Sequence, residues 1–364
     1  MAILDNMVVS SIVGDVDTGG WTANCQLLND QATAEYGRHV LVWHRTQESG
    51  VWPPGYAIAL NASIVPKAVN WDRRMSSTEI LLGTSHVFLQ NAGLQGLFFT
   101  DQAHVDPVPV PPDAFDQHEI VTMTLGSIVK HIVEKHTNIS QAAGGWVNTD
   151  YVQVANSTLV NVRTVRESNS IWSTLKEIGD TEFFVVFFRK DDTLVYDCHP
   201  QFAAVLADVT VIFDASMIIG APSVTYNDLA VPDQVRLYAL TDEGDTIRAY
   251  YPADITAEGR KHKLTNIRCN TQARLDQLAF RLFNFMQRRY QARITLPGAW
   301  GLQFELYDRV GMTYAGTAIN GVSFNWANKK FWVSNITVNR LASFGAVSEL
   351  TLEEEFFGED YFYA

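Results

Sequence analysis

The chain has 364 residues, 47% of them hydrophobic and 18% charged, which is more than one ordinary domain needs and excludes wholesale disorder. Forty acidic residues against 27 basic ones leave a net charge of −13, so the surface as a whole repels phosphate and a general nucleic-acid grip is excluded. Three scattered cysteines (Cys25, Cys198, Cys269) supply neither a disulfide framework nor a C-x-x-C zinc site and fit a reducing compartment.

No basic residue precedes the first apolar run, so no signal peptide is read. The longest strongly apolar stretch, 183–188, is far too short to span a bilayer. The sequons at Asn61, Asn138, Asn156 and Asn335 are therefore read as chance.

The first hundred residues read as strands. Short β-branched runs at 7–13, 39–44, 57–65 and 79–83 are separated by turn clusters at 17–20, 47–50 and 53–55, a barrel or sandwich pattern. Four prolines within 106–113 then fix an extended backbone and mark the clearest domain boundary.

Beyond it, Leu125, Ile128, Val129, Ile132 and Val133 share one face of a helix over 125–136. Strands at 151–155 and 159–165 follow. Ser168 or Asn169 can cap a second helix that turns Ile171, Trp172, Leu175 and Ile178 inward. The apolar run 182–188, the turn Asp191-Asp192-Thr193 and the run 194–197 predict a hairpin.

The third section returns to strands at 209–213, 234–240 and 246–251, the last two joined by a turn at 242–245. One long helix spans about 271–291, with Leu275, Leu278, Ala279, Leu282, Phe283, Met286 and Tyr290 on its apolar face. Strands resume at 293–297, 302–307, 330–338 and 347–353. The division predicted is 1–106, a β-barrel with strands from 205–260 available to complete it; 114–203, an α+β domain; and 204–364, a second barrel carrying the long helix. The fold class is α+β and β-rich, two antiparallel barrels flanking an α+β domain.

No dinucleotide, phosphate-loop or hydrolase motif is present. His131 and His136 are five apart on a helix, off the i, i+4 spacing that puts two ligands on one face. Asp15 to Gly20 has the opening of a calcium loop, but Gln26 stands where the bidentate glutamate belongs, so a strand-to-strand turn is the reading. Cys198 and His199, neighbours at a strand end, point to opposite faces and do not make a nucleophile–base pair. No catalytic residue, cofactor or metal is assigned, and the chain is read as a non-enzyme.

Two features read as contact surfaces. Arg274, Arg281 and Arg288 recur at seven-residue spacing, a stripe that either faces solvent or meets an acidic patch on a neighbour. Phe356, Phe357, Tyr361, Phe362 and Tyr363 crowd the last nine residues among acids, a density suited to docking on the chain's own body or on a partner.

Two stretches carry a family resemblance. In the middle, 124–138, Thr164 to Ser168, Ile171 to Leu175 and 183–197 place a helix before a second helix and a short-turned hairpin. Near the end, the long helix runs into Arg293-Ile294-Thr295-Leu296-Pro297-Gly298, followed by 306–310, 331–336 and the closing strand 348–353. This order resembles the central hub proteins of phage tails, trimers that close the tail tube and carry the tip or spike.

The resemblance implies two tube-like barrels per subunit, six in a trimer matched to a six-fold tube, with the α+β unit hung outside by the proline linker. It also implies partners: a homotrimer, the tail tube protein, a tip or spike protein and other baseplate proteins. Localisation would be the virion tail, with assembly in the host cytoplasm. DNA would pass through an acidic channel without specific binding.

Two other readings compete. A carbohydrate- or receptor-binding β protein would use exposed Trp21, Trp52, Trp300 or Trp326 as stacking platforms; the plainer role for these residues is core or rim packing. A cell-wall or glycan hydrolase would need a carboxylate pair that no local motif supplies.

Overall fold

The computed structural model describes residues 7–28, 39–44, 57–65, 71–72, 77–91, 98–99, 146–147, 163–164, 170–182, 184–200, 206–227, 231–241, 244–253, 259–269, 271–339 and 345–355. The N-terminal elements are β1 (Met7–Asp15), β2 (Gly20–Leu28), β3 (His39–His44), β4 (Ala57–Val65), β5 (Trp71–Asp72), β6 (Ser77–Gly83) and the short helix α1 (His86–Asn91). The middle holds β7 (Phe98–Phe99), β8 (Trp146–Val147), β9 (Arg163–Thr164), α2 (Ile171–Glu182), β10 (Phe184–Phe188) and β11 (Leu194–Cys198). The last section has β12 (Ile212–Phe213), β13 (Ser223–Tyr226), β14 (Gln234–Leu240), β15 (Thr246–Tyr251), β16 (Lys261–Arg268), α3 (Gln272–Met286), β17 (Tyr290–Pro297), β18 (Arg309–Thr317), β19 (Ser323–Asn339) and β20 (Val347–Glu354).

The chain is β-rich, as its composition suggested, but the two strand regions are joined. The main sheet runs β13-β17-β20-β19-β1-β2-β6-β4-β3. Its junction is β1 against β19, antiparallel, with Ser11 opposite Asn339 and Val13 opposite Thr337. The C-terminal strand that meets the N-terminal region is thus β19, while β12 and β13 from 205–260 pair with β18 and β17. Among the described strands no ring closes, so the pair of separate barrels is not what the described pairings draw.

Alternation explains the sheet. Along β20, Ser348, Leu350 and Leu352 face inward while Glu349 and Thr351 face out. One core cluster gathers Ile12, Trp21 and Leu82 from the N-terminal strands, Ile294, Val333 and Leu350 from the C-terminal ones, and Val185, Phe187 and Val195 from the middle hairpin. A second cluster packs Leu275, Leu278, Ala279 and Leu282 of α3 on Val235, Leu237, Ala239 and Ala249.

Several local expectations change. The cap of α2 is Ser170, whose Oγ accepts from the Ser173 amide at 3.0 Å, rather than Ser168 or Asn169. The long helix begins as expected, with Thr271 as its N-cap accepting from the Arg274 amide, but ends at Met286. Tyr290, assigned to the helix by its period, instead opens β17, where it lies against Tyr226 and Trp326.

The strand expected at 302–307 is a 3₁₀ turn, Trp300–Gln303, then an extended Phe304 and a second turn in which Asp308 donates its amide to the Glu305 carbonyl and Tyr307 takes a φ of 65°. Alternate burial of Leu302, Phe304 and Leu306 gave it a strand's pattern without a ladder partner. Of 209–213 only Ile212 and Phe213 pair, in parallel with β18. The helix over 125–136 and the strand at 151–155 lie outside the described residues, as do the proline boundary and the first part of the strand at 159–165.

Candidate interaction surfaces

The middle hairpin is wedged between the two strand regions rather than standing apart. Its turn follows from sequence: the Asp191 carboxylate accepts from the Thr193 amide, and Asp192 takes a left-handed φ of 68° that aspartate tolerates. On the N-terminal side, Phe188 donates its amide to the Gly19 carbonyl, and Asn61 donates to the carbonyls of Lys190 and Asp191. On the C-terminal side, the buried Lys190 ammonium donates to the Leu302 carbonyl at 2.6 Å and lies 3.6 Å from Glu305, with the Trp21 ring beneath it.

Burial pushes the Glu305 carboxyl up to about 7 even though Lys190 opposes the shift, and burial raises Asp308 beside it. Helix α2 completes the wedge: Trp172 packs on Phe188 and His86, and Lys176 donates to the carbonyls of Val16 and Asp17. An open groove lined by Asp17, Gln90, Trp172 and Lys176 runs along this contact.

The arginine stripe divides. Arg274 is half-buried and bonds Gln277; burial, and then the neighbouring Arg281, pull it down to about 10. Arg281 is buried. Arg288 lies past the helix end, ion-paired to Glu353 at 2.5 Å and 2.9 Å from His199 Nε2, with its guanidinium over the Phe285 ring. The acid that Arg288 meets is thus in its own chain. His199 is enclosed by Phe285, Tyr307 and Trp332, and burial, reinforced by Arg288, holds it well below its usual range, so it is neutral.

The strand end before the aromatic segment is firmly held. Glu354 accepts from the amides of Arg289 and Tyr290 and pairs with Lys329, and Glu355 takes a bidentate pair from Arg309 at 2.6 and 2.7 Å. Phe356, Phe357, Tyr361, Phe362 and Tyr363 themselves lie outside the described residues, as do His131, His136 and Trp52.

Asp15 to Gly20 is a turn: β1 ends at Asp15, β2 begins at Gly20, and Asp15 Oδ1 accepts from the Asp17 amide. No cluster of three or more histidine, cysteine or acidic side chains that could hold a metal occurs among the described residues. Of the tryptophans considered as platforms, Trp21 and Trp326 are buried in the core and Trp300 is exposed.

The outward side of the joined sheet is polar and sparsely charged. Across it, Thr295, Glu349, Thr337, Val13 and Thr22 stand in one cross-strand row, and Arg293, Thr351, Asn335 and Asp15 in the next.

A three-stranded sheet elsewhere has the opposite character, and sequence reading missed it because β16 was not recognised. Strands β14, β15 and β16 contain no acid, and their face away from α3 presents Arg236, Tyr238, Arg248, Tyr250 and Lys263.

No protein-family model matches the sequence, and no curated protein matches it. Solved structures do share its fold. A tail protein from Neisseria meningitidis aligns at a TM-score of 0.60 and 13% identity, over 96% of this chain and 97% of that one. The 43 kDa tail protein of prophage MuSo2 from Shewanella oneidensis aligns at 0.57 and 12%, over 96% and 98%. A prophage tail protein from Listeria monocytogenes aligns at 0.56 and 12%, over 97% and 90%. An E. coli type VI secretion component, described as similar to the phage T4 tail proteins gp27 and gp5, aligns at 0.52 and 7%, over 97% and 74%. The fold of this chain is therefore that of phage tail proteins, as the resemblance implied, and it extends over nearly the whole sequence.

Proposed function

We propose that the chain is a structural phage tail protein, the central hub at the distal end of the tail tube, which joins the tube to a tip or spike and surrounds the DNA path. The observation that carries this reading is the end-to-end likeness to tail proteins of a single sheet built from both ends of the chain. Among the described residues the main path of this sheet ends in β3 and β13, with β18–β12 branching from β19 and β5 from β6. Edge strands present unpaired ladder groups, and head-to-tail pairing of unlike edges closes rings. Three subunits arranged this way would supply the six tube-like segments that a six-fold tube requires.

The outward side of the sheet suits a bore. It bears Asp15, Glu79 and Glu349 against Arg293, with threonine, asparagine and serine between them. An acid excess on a largely uncharged wall repels DNA phosphates and offers them few cations. In this reading the chain catalyses nothing, assembles in the host cytoplasm and resides in the virion tail with tube, tip and other baseplate proteins.

Mass measurement of the purified chain, alone and mixed with the tail tube protein of the same particle, tests the proposal. A trimer, formed alone or on the tube protein, is expected. A chain that stays monomeric with that tube protein overturns the hub role.

A further inference from the structure

The β13 end of the main sheet is not bare in the single chain. The Asn227 amide donates to the Arg289 carbonyl, so positions 227, 225 and 223 make the bonds to β17. Val224 and Tyr226, opposite Ala292 and Tyr290, therefore turn their own amides and carbonyls to the outer side. There a turn of the same chain meets them. The Ile319 amide donates to the Val224 carbonyl at 2.8 Å, and Asn320 Nδ2 donates to the Tyr226 carbonyl at 2.6 Å.

That turn, residues 318–321, joins β18 to β19. Gly321 donates to the Ala318 carbonyl and holds a φ of 87°, and Ala318 donates to the Val322 carbonyl, a three-residue hairpin loop with its glycine in the left-handed region. The arm behind the turn is anchored: Phe324 and Trp326 are buried with their rings stacked 4.1 Å apart, and Trp326 meets Tyr290 edge to face. The tip is held more lightly. Ile319 is 74% exposed and Asn320 is exposed beside it. Beyond the buried Ala318, the tip's seat on β13 among the described residues is these two hydrogen bonds. A contact of that kind opens locally, without unfolding the core.

An uncovered edge strand pairs readily with another chain, and natural sheets cover such edges. The main path ends, among the described residues, in two unlike strands of one chain, so head-to-tail pairing carries the sheet from one copy to the next. We propose that the 318–321 turn is a guard on the β13 edge, seated in the free chain and displaced on assembly by a strand of a second copy of this chain. The identity of the incoming strand's owner rests on the hub reading; the guard itself is a property of the single chain.

Proline suits the second position of such a turn but lacks the amide donor, and aspartate keeps the shape of asparagine while putting an acceptor where the donor was. I319P with N320D therefore unseats the tip and leaves the turn intact. In sedimentation velocity the full-length double variant is expected to self-associate at least tenfold more strongly than the parent chain. Adding V224P removes an outward amide and spares the bonds to β17, which come from 223, 225 and 227, and is expected to return association to the parent level.

Hydrogen exchange resolved to single amides tests the unsubstituted chain. In the assembly, formed alone or with the tail tube protein, the Val224 and Tyr226 amides are expected to exchange at least tenfold more slowly than in the free chain, and the Ile319 amide at least tenfold faster. The proposal is overturned by unchanged association of the double variant, by association that V224P leaves in place, or by an Ile319 amide equally protected in both states. A parent chain that forms no assembly counts against the hub reading, and the comparison of parent and double variant then decides the guard by itself.

Discussion

The Asp192 carboxylate, at the tip of the β10–β11 hairpin, accepts from both the amide and the hydroxyl of Ser85, at 2.6 and 2.7 Å, across 107 residues of sequence. Both bonds are charge-assisted, and Asp192 holds a left-handed φ of 68° that alanine resists. Asp192→Ala is expected to cost about 3 kcal/mol, since it loses both bonds and adds backbone strain. Asn, which tolerates that conformation, should cost about 1 kcal/mol. Urea unfolding of both variants and of S85A, as a double-mutant cycle, measures the coupling.

Gly20 is where β2 leaves the turn beneath His86. A Cβ there would lie 2.1 Å from His86 Nδ1, on a ring already held by Thr84 Oγ1 at 2.7 Å and by Trp172. Gly20→Ala should therefore destabilise by about 2 kcal/mol or more through overpacking. Its cost should shrink markedly in an H86A background, where the obstacle is gone. Equal costs in both backgrounds would show that the ring is not what the added methyl meets.

His86 and Glu305 give opposite pH slopes. Burial, with Lys176 adding to it, lowers His86 from 6.5 to about 4, so its stabilising contribution is full above pH 6.5 and is lost as pH falls toward 4. Its loss should reach on the order of 3 kcal/mol by pH 4. Glu305 is raised from 4.5 to about 7, so the folded state binds its proton more tightly, and its contribution is greatest below 4.5 and declines as pH rises through 7. Denaturation series from pH 4 to 8 should show H86N flattening the acid limb and E305Q flattening the decline between 4.5 and 7.

Val13 lies at the centre of the joined sheet, opposite Thr337 on one side and Thr22 on the other. Proline there removes a ladder donor and crowds the neighbouring strand, at an expected cost of about 3 kcal/mol or more. Because β1 and β19 belong to one core, the parent chain should unfold its two strand regions in a single transition. In V13P, tryptophan fluorescence and far-ultraviolet dichroism should separate into two. A single, merely shifted transition in V13P would mean that the core, rather than the β1–β19 ladder, couples the regions.

Much of the fold was legible because its signals are local. The turn at 191–193, the start of the long helix near 271 and its inward face Leu275, Leu278, Ala279 and Leu282 are set by neighbours a few residues away. Period alone misjudged Tyr290, because an aromatic at helical spacing is equally at home in a strand packed on Tyr226 and Trp326. It also turned Leu302, Phe304 and Leu306 into a strand, since alternate burial does not require a ladder. The arginine stripe was visible as a spacing, but whether each cation meets solvent, a partner or Glu353 depends on where β20 lies.

By itself the sequence determined that the chain is β-rich, that its middle holds a helix followed by a tight hairpin, and that it lacks the usual local motifs of catalysis. These properties reside in composition, alternation and turn chemistry, which act over a few residues. Only the tertiary structure decided that β1 joins β19, that Lys190 is held between Trp21 and Glu305, and that three acid-free strands pool their cations on one face. Each of these unites residues far apart in the chain, and which distant strands pair is decided by the shared core they bury rather than by any local preference.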